Sequence, residues 1–526
     1  MVMLHRARGS IAKLAVLCIA SGACLLALPA SSVSKELRGR GDFDFYLDRA
    51  LFWRGGETQI QELYFRFTNR DIKFKPSEDK FHSKLDFAIV VKDEAGKSQV
   101  DENFTMDFYE DDEAKIESPL HFQMVIKRYQ LPPGKYELTC TVTDIHSPKV
   151  TVLAMVKRRH KTSELRGVPL NIPRIEPDLI SLSDPMFLWL VQRNGGAPVY
   201  HPNPARMYGL YKDSLEVYME LYVPDSVSAL GTLGFESSVL NSKGEVVKRS
   251  RIPLKRRGET AGGDIPGSIG NFDLYPLLVR EDLTAFTAGG YSLYANIKIE
   301  SKLIGRFRCG SFNIAWDLRT WEAPRRNYLA EARFLIGDKA FEEFRYKSIG
   351  DQEQMLKELW SKLDPTPNTS ENEAYIEFME RLEYVNTYYA DYQEGFFTDR
   401  GLIYLKYGEP DEIVAEVVPL NREALSDALD KVEDRFHPVS YSTHGARGSF
   451  KGPSKDIIVD PRKIGAVGEG GNVAYPYELW IYNRSGNPIL ERDRVLEADI
   501  GLRFIFIDRE GYGHYKLESS SSTTDK

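Results

Sequence analysis

The hydrophobic residues of this chain change their spacing near Trp316, and this change limits the folds that the chain can adopt. Before Trp316, apolar residues alternate with polar ones, as in residues 62–67 and 214–223, which is the period of half-buried strands. After Trp316, residues 327–346 and 351–363 place apolar side chains three and four positions apart, which is the period of a helix. The pattern therefore predicts a mainly β chain with a helical segment that begins shortly after this point.

The length of 526 residues is too great for one hydrophobic core, so several domains are expected. Short alternating segments separated by turns predict two tandem β-sandwich, Ig-like modules at residues 41–160 and 178–320. Between them, the basic and then proline-rich residues 161–177 predict a linker. Residues 321–518 are predicted to form an α+β domain whose N-terminal part is helical, and residues 519–526 a disordered tail.

The two predicted β modules share a short motif. Residues 131–138, LPPGKYEL, and residues 286–293, FTAGGYSL, have an apolar residue, a glycine, a tyrosine and a leucine at matching positions. This arrangement is typical of a turn leading into a strand whose tyrosine and leucine lie on one face. The match supports two modules of the same general kind.

Residues 1–32 predict a cleaved secretory signal peptide. Positive charges ending at Lys13 precede the apolar run Leu14–Leu28, and small residues at positions 30–32 offer a signal peptidase site. Two alternatives are an uncleaved anchor, for which the apolar run is short, and a lipoprotein modified at Cys24. The prediction is export to the periplasm or the exterior, with no transmembrane segment after cleavage.

Signal cleavage would leave two of the four cysteines, Cys140 and Cys309, in separate predicted modules. Two cysteines cannot form a disulfide framework or a four-cysteine metal site, so both are predicted to be buried small hydrophobes. The histidines, His514 among them, are scattered and show no H-E-x-x-H motif and no pair at metal-ligand spacing. We therefore expect no metal, no cofactor and no assembled histidine site.

The densest group of special residues lies between Gly395 and Ile413. Its glycines, threonine and aspartates supply turn chemistry, and Leu402–Tyr407 alternates like a short strand that Pro410 ends. The residues singled out in this signature are Gly395, Phe396, Thr398, Asp399, Arg400, Gly401, Tyr404, Gly408, Pro410 and Asp411.

A second motif surrounds a predicted break between two helices. Residues 364–367 contain two prolines, which cannot continue a helix, and the polar residues that follow can cap the next helix, residues 372–389. The motif comprises Trp360, Asp364, Pro365, Thr366, Pro367, Asn372, Glu373 and Arg381. We interpret it as an N-cap network that Arg381 reaches, and the alternative is a set of carboxylates acting as nucleophile or metal ligands.

These two motifs, with a third block at residues 477–482 and 504–517, resemble the GWxTD domain family. The three blocks follow in order between Trp360 and Glu518, which makes the resemblance specific. One departure is Phe396, where the family has tryptophan, so the indole N–H donor is lost while apolar bulk is kept. The resemblance implies an exported bacterial protein of unestablished role, often with β-sandwich modules ahead of the domain, and it supplies no catalytic residues.

Three carboxylates near the signature, Asp399, Glu409 and Asp411, are candidates for acid or base catalysis. The alternative is that turn capping and an arginine–carboxylate clamp use these groups to hold the fold. Aromatic residues crowd the same region, where they either line a carbohydrate or peptide groove or pack a core.

The sequence lacks an assembled set of nucleophile, base and metal ligands, which favours a non-catalytic exported envelope protein, a binding or scaffold module of unknown ligand. The alternative function is an envelope-polymer hydrolase that uses carboxylates near the signature strand. Envelope proteins or glycans are the expected partners. The formal net charge of −8 argues against nucleic acid, which usually requires a basic surface.

Overall fold

The protein is mainly β, with curled sheets and a smaller helical part. The computed structural model describes residues 37–149, 159–192, 198–256, 268–322, 328–369, 371–419, 475–483, 486–493 and 501–521. The predicted signal peptide lies outside these ranges. The chain forms two compact units, and the division between them lies between Met355 and Leu356. Among the described residues, no helix is long and apolar enough to cross a membrane.

The first nine strands of the described chain form one sheet. They are β1 (Leu37–Gly41), β2 (Phe45–Trp53), β3 (Gln59–Thr68), β4 (Lys75–Ser77), β5 (Lys80–Asp93), β6 (Ser98–Glu110), β7 (Phe122–Leu131), β8 (Gly134–Lys149) and β9 (Arg159–Ile172). Their order is β4-β5-β8-β9-β1-β2-β3-β7, and β6 pairs with β5. Strand β1 joins two arms of the sheet, because its first residues pair with β2 and its last two pair with β9.

The two arms of this sheet enclose one hydrophobic core. Alternate residues of β5 and β8 are buried, as the period of two predicts. Phe65 on β3 and Phe87 on β5 make a T-shaped ring contact with centroids 5.7 Å apart, although their strands are distant in the sheet order. Burying one such ring stabilises the fold by about 2 kcal/mol. The core therefore explains why the sheet curls.

The predicted linker, residues 161–177, is wrong over residues 161–172, which belong to β9. In this strand Val168 and Leu170 are buried in the core, and neighbours on both sides, β8 and β1, pair with it. The sequence suggested a linker because charged residues separate the apolar ones and Pro169 interrupts them. Pairing with two strands, rather than local composition, decides the structure of this segment.

The next eleven strands of the described chain form two further sheets. They are β10 (Ser181–Leu182), β11 (Met186–Gln192), β12 (Val199–Pro202), β13 (Met207–Gly209), β14 (Ser214–Pro224), β15 (Leu233–Asn241), β16 (Val246–Ile252), β17 (Ser268–Ile269), β18 (Phe272–Asp282), β19 (Gly289–Ile299) and β20 (Lys302–Ala315). One sheet has the order β12-β11-β14-β18-β17, with β10 paired to β14, and the other has the order β13-β20-β19-β15-β16. Val217 and Leu277 of the first sheet share a core with Leu293 and Ile297 of the second.

A buried ion pair connects the first sheet to the segment that precedes β13. Arg206 Nη2 lies 2.6 Å from Asp48 Oδ1, and Arg206 Nε lies 2.8 Å from Asp48 Oδ2. Both side chains are almost completely buried. Removing one partner of such a pair leaves an uncompensated charge and costs about 3–5 kcal/mol. The two β-rich parts of the first unit are therefore in direct contact.

The short motif shared by the two predicted modules makes the same hydrogen bond in both places. Tyr136 Oη donates to the carbonyl oxygen of Pro132 at 2.8 Å, and Tyr291 Oη donates to that of Thr287 at 2.9 Å. Each tyrosine thus bonds to the backbone four residues upstream and closes the turn that leads into its strand. The motif shared by the two sequences therefore corresponds to the same turn and hydrogen bond in both predicted modules.

Helices follow the β-rich part, as the change of period predicts. Within the described residues the helices are α1 (Glu113–Glu117), α2 (Asp225–Ser228), α3 (Leu318–Glu322), α4 (Tyr328–Phe344), α5 (Ile349–Leu363), α6 (Glu373–Tyr388) and α7 (Asp399–Tyr407), and 3-10 turns lie at Asn69–Asp71, Gly395–Phe397 and Glu491–Asp493. The helices predicted over residues 327–346, 351–363 and 372–389 are confirmed by α4, α5 and α6. The second unit also contains an antiparallel sheet in the order β21 (Glu412–Glu416), β22 (Tyr477–Tyr482), β23 (Leu502–Ile507) and β24 (Lys516–Ser520).

Helix α5 begins against the second group of strands. Glu353 Oε1 accepts hydrogen bonds from the backbone N–H groups of Trp316 at 2.9 Å and Asp317 at 3.2 Å. Asp351 Oδ1 accepts another from the N–H of Gly290 at 3.1 Å. These hydrogen bonds join the start of α5 to the first unit, although α5 lies after residue 320, where the second β module was predicted to end. The predicted domain boundaries stay predictions.

The predicted signature strand, Leu402–Tyr407, is wrong, because these residues belong to helix α7. The six-residue run satisfies both periods, since Ile403, Tyr404 and Tyr407 are also close on a helix and are buried there. The capping residue decides between them. Thr398 accepts the N–H of Gly401 at 3.0 Å, and threonine is among the preferred N-cap residues.

The predicted disordered tail, residues 519–526, is wrong at its first two positions. Ser519 and Ser520 end β24 and pair with Ile505 and Phe504 of β23. The strand beside them supplies the hydrogen-bond partners that the low-complexity sequence does not suggest. Residues 522–526 lie outside the described residues.

Candidate functional site

The signature builds the N-terminus of α7. Thr398 Oγ1 accepts from the N–H of Gly401 and donates to the carbonyl oxygen of Gly395 at 2.8 Å, so it joins the helix to the preceding 3-10 turn. Asp399, the first residue of α7, is half-buried, and its Oδ2 accepts the backbone N–H of Leu517 on β24 at 2.7 Å. A carboxylate at a helix N-terminus is also favoured by the helix dipole. Both side chains therefore hold the fold together.

Two glycines allow the 3-10 turn to approach both neighbouring helices. A Cβ on Gly395 would lie 1.7 Å from the carbonyl oxygen of Val385 on α6, and a Cβ on Gly401 would lie 1.9 Å from that of Gly395. Phe396 is buried in the same turn, and its N–H donates to Asn386 Oδ1 at 2.9 Å. The signature glycines are thus required by close packing.

Arg400 forms a clamp between α7 and the four-stranded sheet. Its Nη1 lies 2.8 Å from Glu478 Oε1, and both side chains are mostly buried. The guanidinium also lies over the rings of Tyr389 and Tyr515, 5.1 and 4.4 Å from their centroids. Glu478 Oε2 in turn accepts the indole N–H of Trp480 at 2.9 Å. Ionic and aromatic contacts thus hold this arginine inside the domain, and its Nε is buried without a hydrogen-bond partner.

Arg381 of the second motif holds the opposite end of α7. It is buried, and it donates to the carbonyl oxygens of Leu405 at 3.2 Å and Asn487 at 2.7 Å. It also pairs with Glu377, one turn earlier on α6. Gly408 ends α7 with a φ of 79°, and a Cβ there would lie 2.9 Å from Arg381 Nη2. A cation at this position bonds the free carbonyl groups at the end of the helix, and the negative end of the helix dipole stabilises its charge.

The three candidate carboxylates are not brought together. Asp399 begins α7, whereas Glu409 and Asp411 follow its C-terminus, so the helix separates Asp399 from these two residues by about 15 Å at 1.5 Å per residue. Glycosidase carboxylate pairs lie about 5–9.5 Å apart. Glu409 is exposed, and Asp411 accepts the backbone N–H of Asn483 at 2.5 Å. The geometry therefore does not pair Asp399 with either of the other two carboxylates.

The rest of the second motif caps α6. Asn372 is the N-cap, with Oδ1 accepting the N–H of Tyr375 at 2.9 Å and Nδ2 donating to the carbonyl oxygen of Trp360 at 2.7 Å. Thr366 Oγ1 donates to both carboxylate oxygens of Glu373, and this bond lowers the pKa of Glu373. Asp364 accepts the N–H of Thr366 at 2.9 Å, in the turn that contains Pro365 and Pro367. The contacts are those of a capping network.

The aromatic residues divide into a buried group and an exposed group. Tyr404 is buried and stacks on Tyr384 with centroids 4.7 Å apart, while Tyr389 packs against Trp480. Burial raises the pKa of both Tyr389 and Tyr404. On the surface, Tyr388 is 65% exposed. The core interpretation therefore holds for Tyr404 and Tyr389, and the exposed rings remain available to a partner.

One polar cluster has no signal in the sequence. His514 is buried, its Nδ1 lies 2.5 Å from Asp391 Oδ2, and its Nε2 lies 2.5 Å from the hydroxyl of Tyr392. The sequence analysis recognised no motif around His514, and the structure brings it together with Asp391 and Tyr392. Asp391 and His514 are 123 positions apart, so no local spacing could indicate the pair. In the described part of the chain, no group of three or more histidine, cysteine and acidic residues is placed to hold a metal ion.

Comparison with protein families finds the GWxTD domain at residues 326–418. The resemblance inferred from the signature is confirmed, and the chain carries a GWxTD domain. The match includes α4 to α7 and both polar motifs. The third block, residues 477–482 and 504–517, lies beyond the matched range and stays a prediction.

Comparison with solved structures finds distant likenesses. They include Bifidobacterium dentium β-glucuronidase complexed with coumarin-3-O-glucuronide (11% identity, TM-score 0.15, covering 50% of this chain and 40% of that one). A putative β-galactosidase from Bacteroides fragilis has 9% identity and a TM-score of 0.15, with 49% and 32% covered. The ICAM-5 D1–D4 ectodomain fragment has 8% identity and a TM-score of 0.14, with 55% and 71% covered.

The chain thus spans less than half the length of the two sugar hydrolases, and at these TM-scores the likenesses carry no argument. A comparison with curated proteins finds no match.

Proposed function

We propose that this chain is a non-catalytic exported envelope protein in which the GWxTD domain is a binding or scaffold module. The observation that carries the proposal is the use of the signature's charged groups. Asp399 bonds the backbone of β24, Arg400 is clamped by Glu478, and Arg381 bonds the end of α7. Charged groups with such partners stabilise a domain, whereas catalytic groups commonly lower the stability of the fold that holds them.

The β-rich part supports a presenting role for the chain. We interpret residues 41–160 and 178–320 as two tandem Ig-like β-sandwiches ahead of an α+β domain. The support is the repeated tyrosine bond, because a tyrosine whose hydroxyl bonds the backbone a few residues upstream is a hallmark of such sandwiches. On this proposal the sandwiches act as a spacer for the GWxTD domain in the periplasm or outside the cell.

The tyrosine bonds supply a test of the sandwich interpretation. Tyr136→Phe and Tyr291→Phe each remove only a hydroxyl, and each should cost about 1 kcal/mol of stability through the lost hydrogen bond. Hydrogen exchange of the full chain measures the loss at the amides of the two strands that begin with these turns, with Tyr109→Phe, an exposed strand residue, as the matched control. Equal protection in all three variants and the parent would argue against a shared structural corner.

Envelope proteins or glycans are the proposed partners. The exposed ring of Tyr388, beside the buried signature, offers a surface of the kind that contacts sugars or aromatic peptides. The competing function, an envelope-polymer hydrolase that uses Asp399, Glu409 and Asp411, has less support because α7 separates Asp399 from the other two and Asp411 bonds the backbone of Asn483.

A pull-down from native envelopes tests the binding proposal. The bait is the full chain, with Tyr388→Ala as the variant and Tyr346→Ala as the control, because these two tyrosines are 65% and 71% exposed. We expect a specific partner that Tyr388→Ala loses and Tyr346→Ala retains. The second arm measures release of reducing ends from envelope glycans. Release that Asp399→Asn abolishes would overturn the proposal in favour of the hydrolase.

A further inference from the structure

His514 is held between a carboxylate and a tyrosine hydroxyl. On one side, Nδ1 lies 2.5 Å from Asp391 Oδ2, and on the other, Nε2 lies 2.5 Å from Tyr392 Oη. The histidine is 7% exposed, whereas the tyrosine is 76% exposed. The three groups therefore follow one another in order: the carboxylate of Asp391, the buried imidazole of His514 and the solvent-exposed hydroxyl of Tyr392. Catalytic triads arrange carboxylate, histidine and nucleophile in the same order.

Backbone hydrogen bonds fix the elements on both sides of the histidine. Asp508 accepts N–H groups of the loop that leads to His514, from Gly511 at 2.8 Å and from Gly513 at 2.6 Å. On the other side, Asp391 Oδ1 accepts the N–H of Gln393 at 2.9 Å. The three side chains are thus presented by local structures that are themselves hydrogen-bonded, which is a requirement for a site of defined geometry.

The surroundings assign a proton to each group. Burial raises the pKa of Asp391, but the bonds from His514 and from the N–H of Gln393 outweigh it and hold the pKa below its usual value. An ionised Asp391 accepts the proton of Nδ1, and this tautomer turns Nε2 toward the hydroxyl of Tyr392 as an acceptor. Desolvation and the charges of Asp391, Glu510 and Asp399 raise the pKa of Tyr392, which keeps the phenol protonated. The hydroxyl therefore donates to a base.

We propose that Tyr392 Oη is a nucleophile that accepts an acyl group from an uncharged ester, with His514 as its general base and Asp391 as the positioning residue. This site lies outside the signature and goes beyond the binding role proposed above. A partner captured by the domain and an acyl group accepted by Tyr392 are separate outcomes, so either proposal can fail without the other.

The reaction balances with the groups present and an ester. Tyr392 Oη forms a bond to the ester carbonyl carbon while its proton passes to His514 Nε2. The tetrahedral intermediate then collapses, its bond to the alcohol oxygen breaks, and the alcohol leaves with the proton from His514. The product is an acyl ester of Tyr392. Water can then attack its carbonyl carbon while passing a proton to His514 Nε2, after which the bond to Tyr392 Oη breaks, the phenol takes that proton and a carboxylic acid is released.

The charge around Tyr392 selects among esters. The carboxylates that act on the tyrosine are Asp391 on the same segment, Glu510 on the loop before His514, and Asp399 on α7. A negatively charged ester would be repelled by all three, and a neutral one would not. The charges around Tyr392 therefore disfavour anionic acyl donors.

Acetylation of the full chain by p-nitrophenyl acetate tests the proposal. Peptide mass spectrometry follows the rate at each tyrosine, and Tyr388 and Tyr512, which are 65% and 89% exposed, serve as internal controls. We expect Tyr392 to react at least about tenfold faster than either control, since a positioned base contributes about 100-fold or more. Acetylsalicylate, an anionic acetyl donor, should give no such preference. Equal rates at the three tyrosines would overturn the proposal.

Variants separate the chemistry from a structural role of the same bonds. His514→Gln should reduce the rate at Tyr392 to that of Tyr388, and an unchanged rate would refute the role of the base.

In Asp391→Asn, the rate at Tyr392 should fall while the rates at Tyr388 and Tyr512 stay unchanged, because the amide no longer holds the Nδ1 proton of His514 as a carboxylate does. Asp391→Glu keeps a carboxylate and should recover part of the lost rate. A rate in Asp391→Asn equal to that of the parent would show that Asp391 does not position the base. Where a variant misfolds, the ratio of the rate at Tyr392 to the rates at Tyr388 and Tyr512 in the parent still decides the question.

Discussion

Replacing Asp399 with alanine is expected to destabilise the GWxTD domain by about 2 kcal/mol. The carboxylate accepts the N–H of Leu517 at 2.7 Å, and a hydrogen bond to a charged group contributes about 1.5–3 kcal/mol. Its position in the first turn of α7 adds about 0.3–1 kcal/mol through the helix dipole. The half-buried setting places the total toward the lower end of the summed range.

Hydrogen exchange is the appropriate assay, because a chain of two compact units does not unfold in one step. In Asp399→Ala, the amide of Leu517 loses its acceptor. A loss of about 2 kcal/mol lowers its protection roughly 30-fold, since each 1.4 kcal/mol is tenfold. Glu409→Ala is the matched control, an exposed carboxylate beyond the other end of α7, for which we expect a change within about 0.5 kcal/mol.

Unchanged protection at Leu517 in Asp399→Ala would refute the structural role of this carboxylate. A catalytic carboxylate behaves differently, since its removal commonly leaves stability unchanged or raises it while activity is lost. The same measurement therefore distinguishes the scaffold interpretation of the signature from the hydrolase interpretation.

Three further predictions concern other parts of the chain. Burial raises the pKa of the Cys140 and Cys309 thiols to about 12, so iodoacetamide should label them only after denaturation, and labelling of native protein would contradict their burial. Limited proteolysis should spare residues 161–172, because β9 pairs with β8 along its length and with β1 at Ser163 and Glu164, and an early cut there, mapped by mass spectrometry, would support the predicted linker. Phe396→Trp restores the family residue and should change thermal stability by less than about 1 kcal/mol, whereas a loss of about 1–3 kcal/mol would show a core repacked around phenylalanine.

Segments with one unambiguous period were predictable from the sequence. The strand at residues 214–223 and the helix over residues 372–389 are long enough for burial on one face to require a single structure. The family was also predictable, because its motifs combine glycines and capping residues that backbone geometry requires. Thr398 and Asn372 are such caps, and each bonds the N–H three residues later.

Short or mixed segments were decided by their neighbours. Leu402–Tyr407 fits both periods, and only the cap at Thr398 and the packing of α7 on the sheet make it helical. Residues 161–172 carry too many charges to indicate a strand, yet β8 and β1 supply hydrogen-bond partners on both sides. Local propensity is a weak influence when a neighbouring strand pairs with the backbone along almost the whole segment.

The sequence by itself determined the order of β-rich and helical parts, the family and the residues of its motifs. The tertiary structure alone decided which charged groups meet, including Arg400 with Glu478 and His514 with Asp391. The physical reason is that hydrophobic period and capping act over a few residues, whereas a hydrogen bond between distant side chains depends on how whole elements pack.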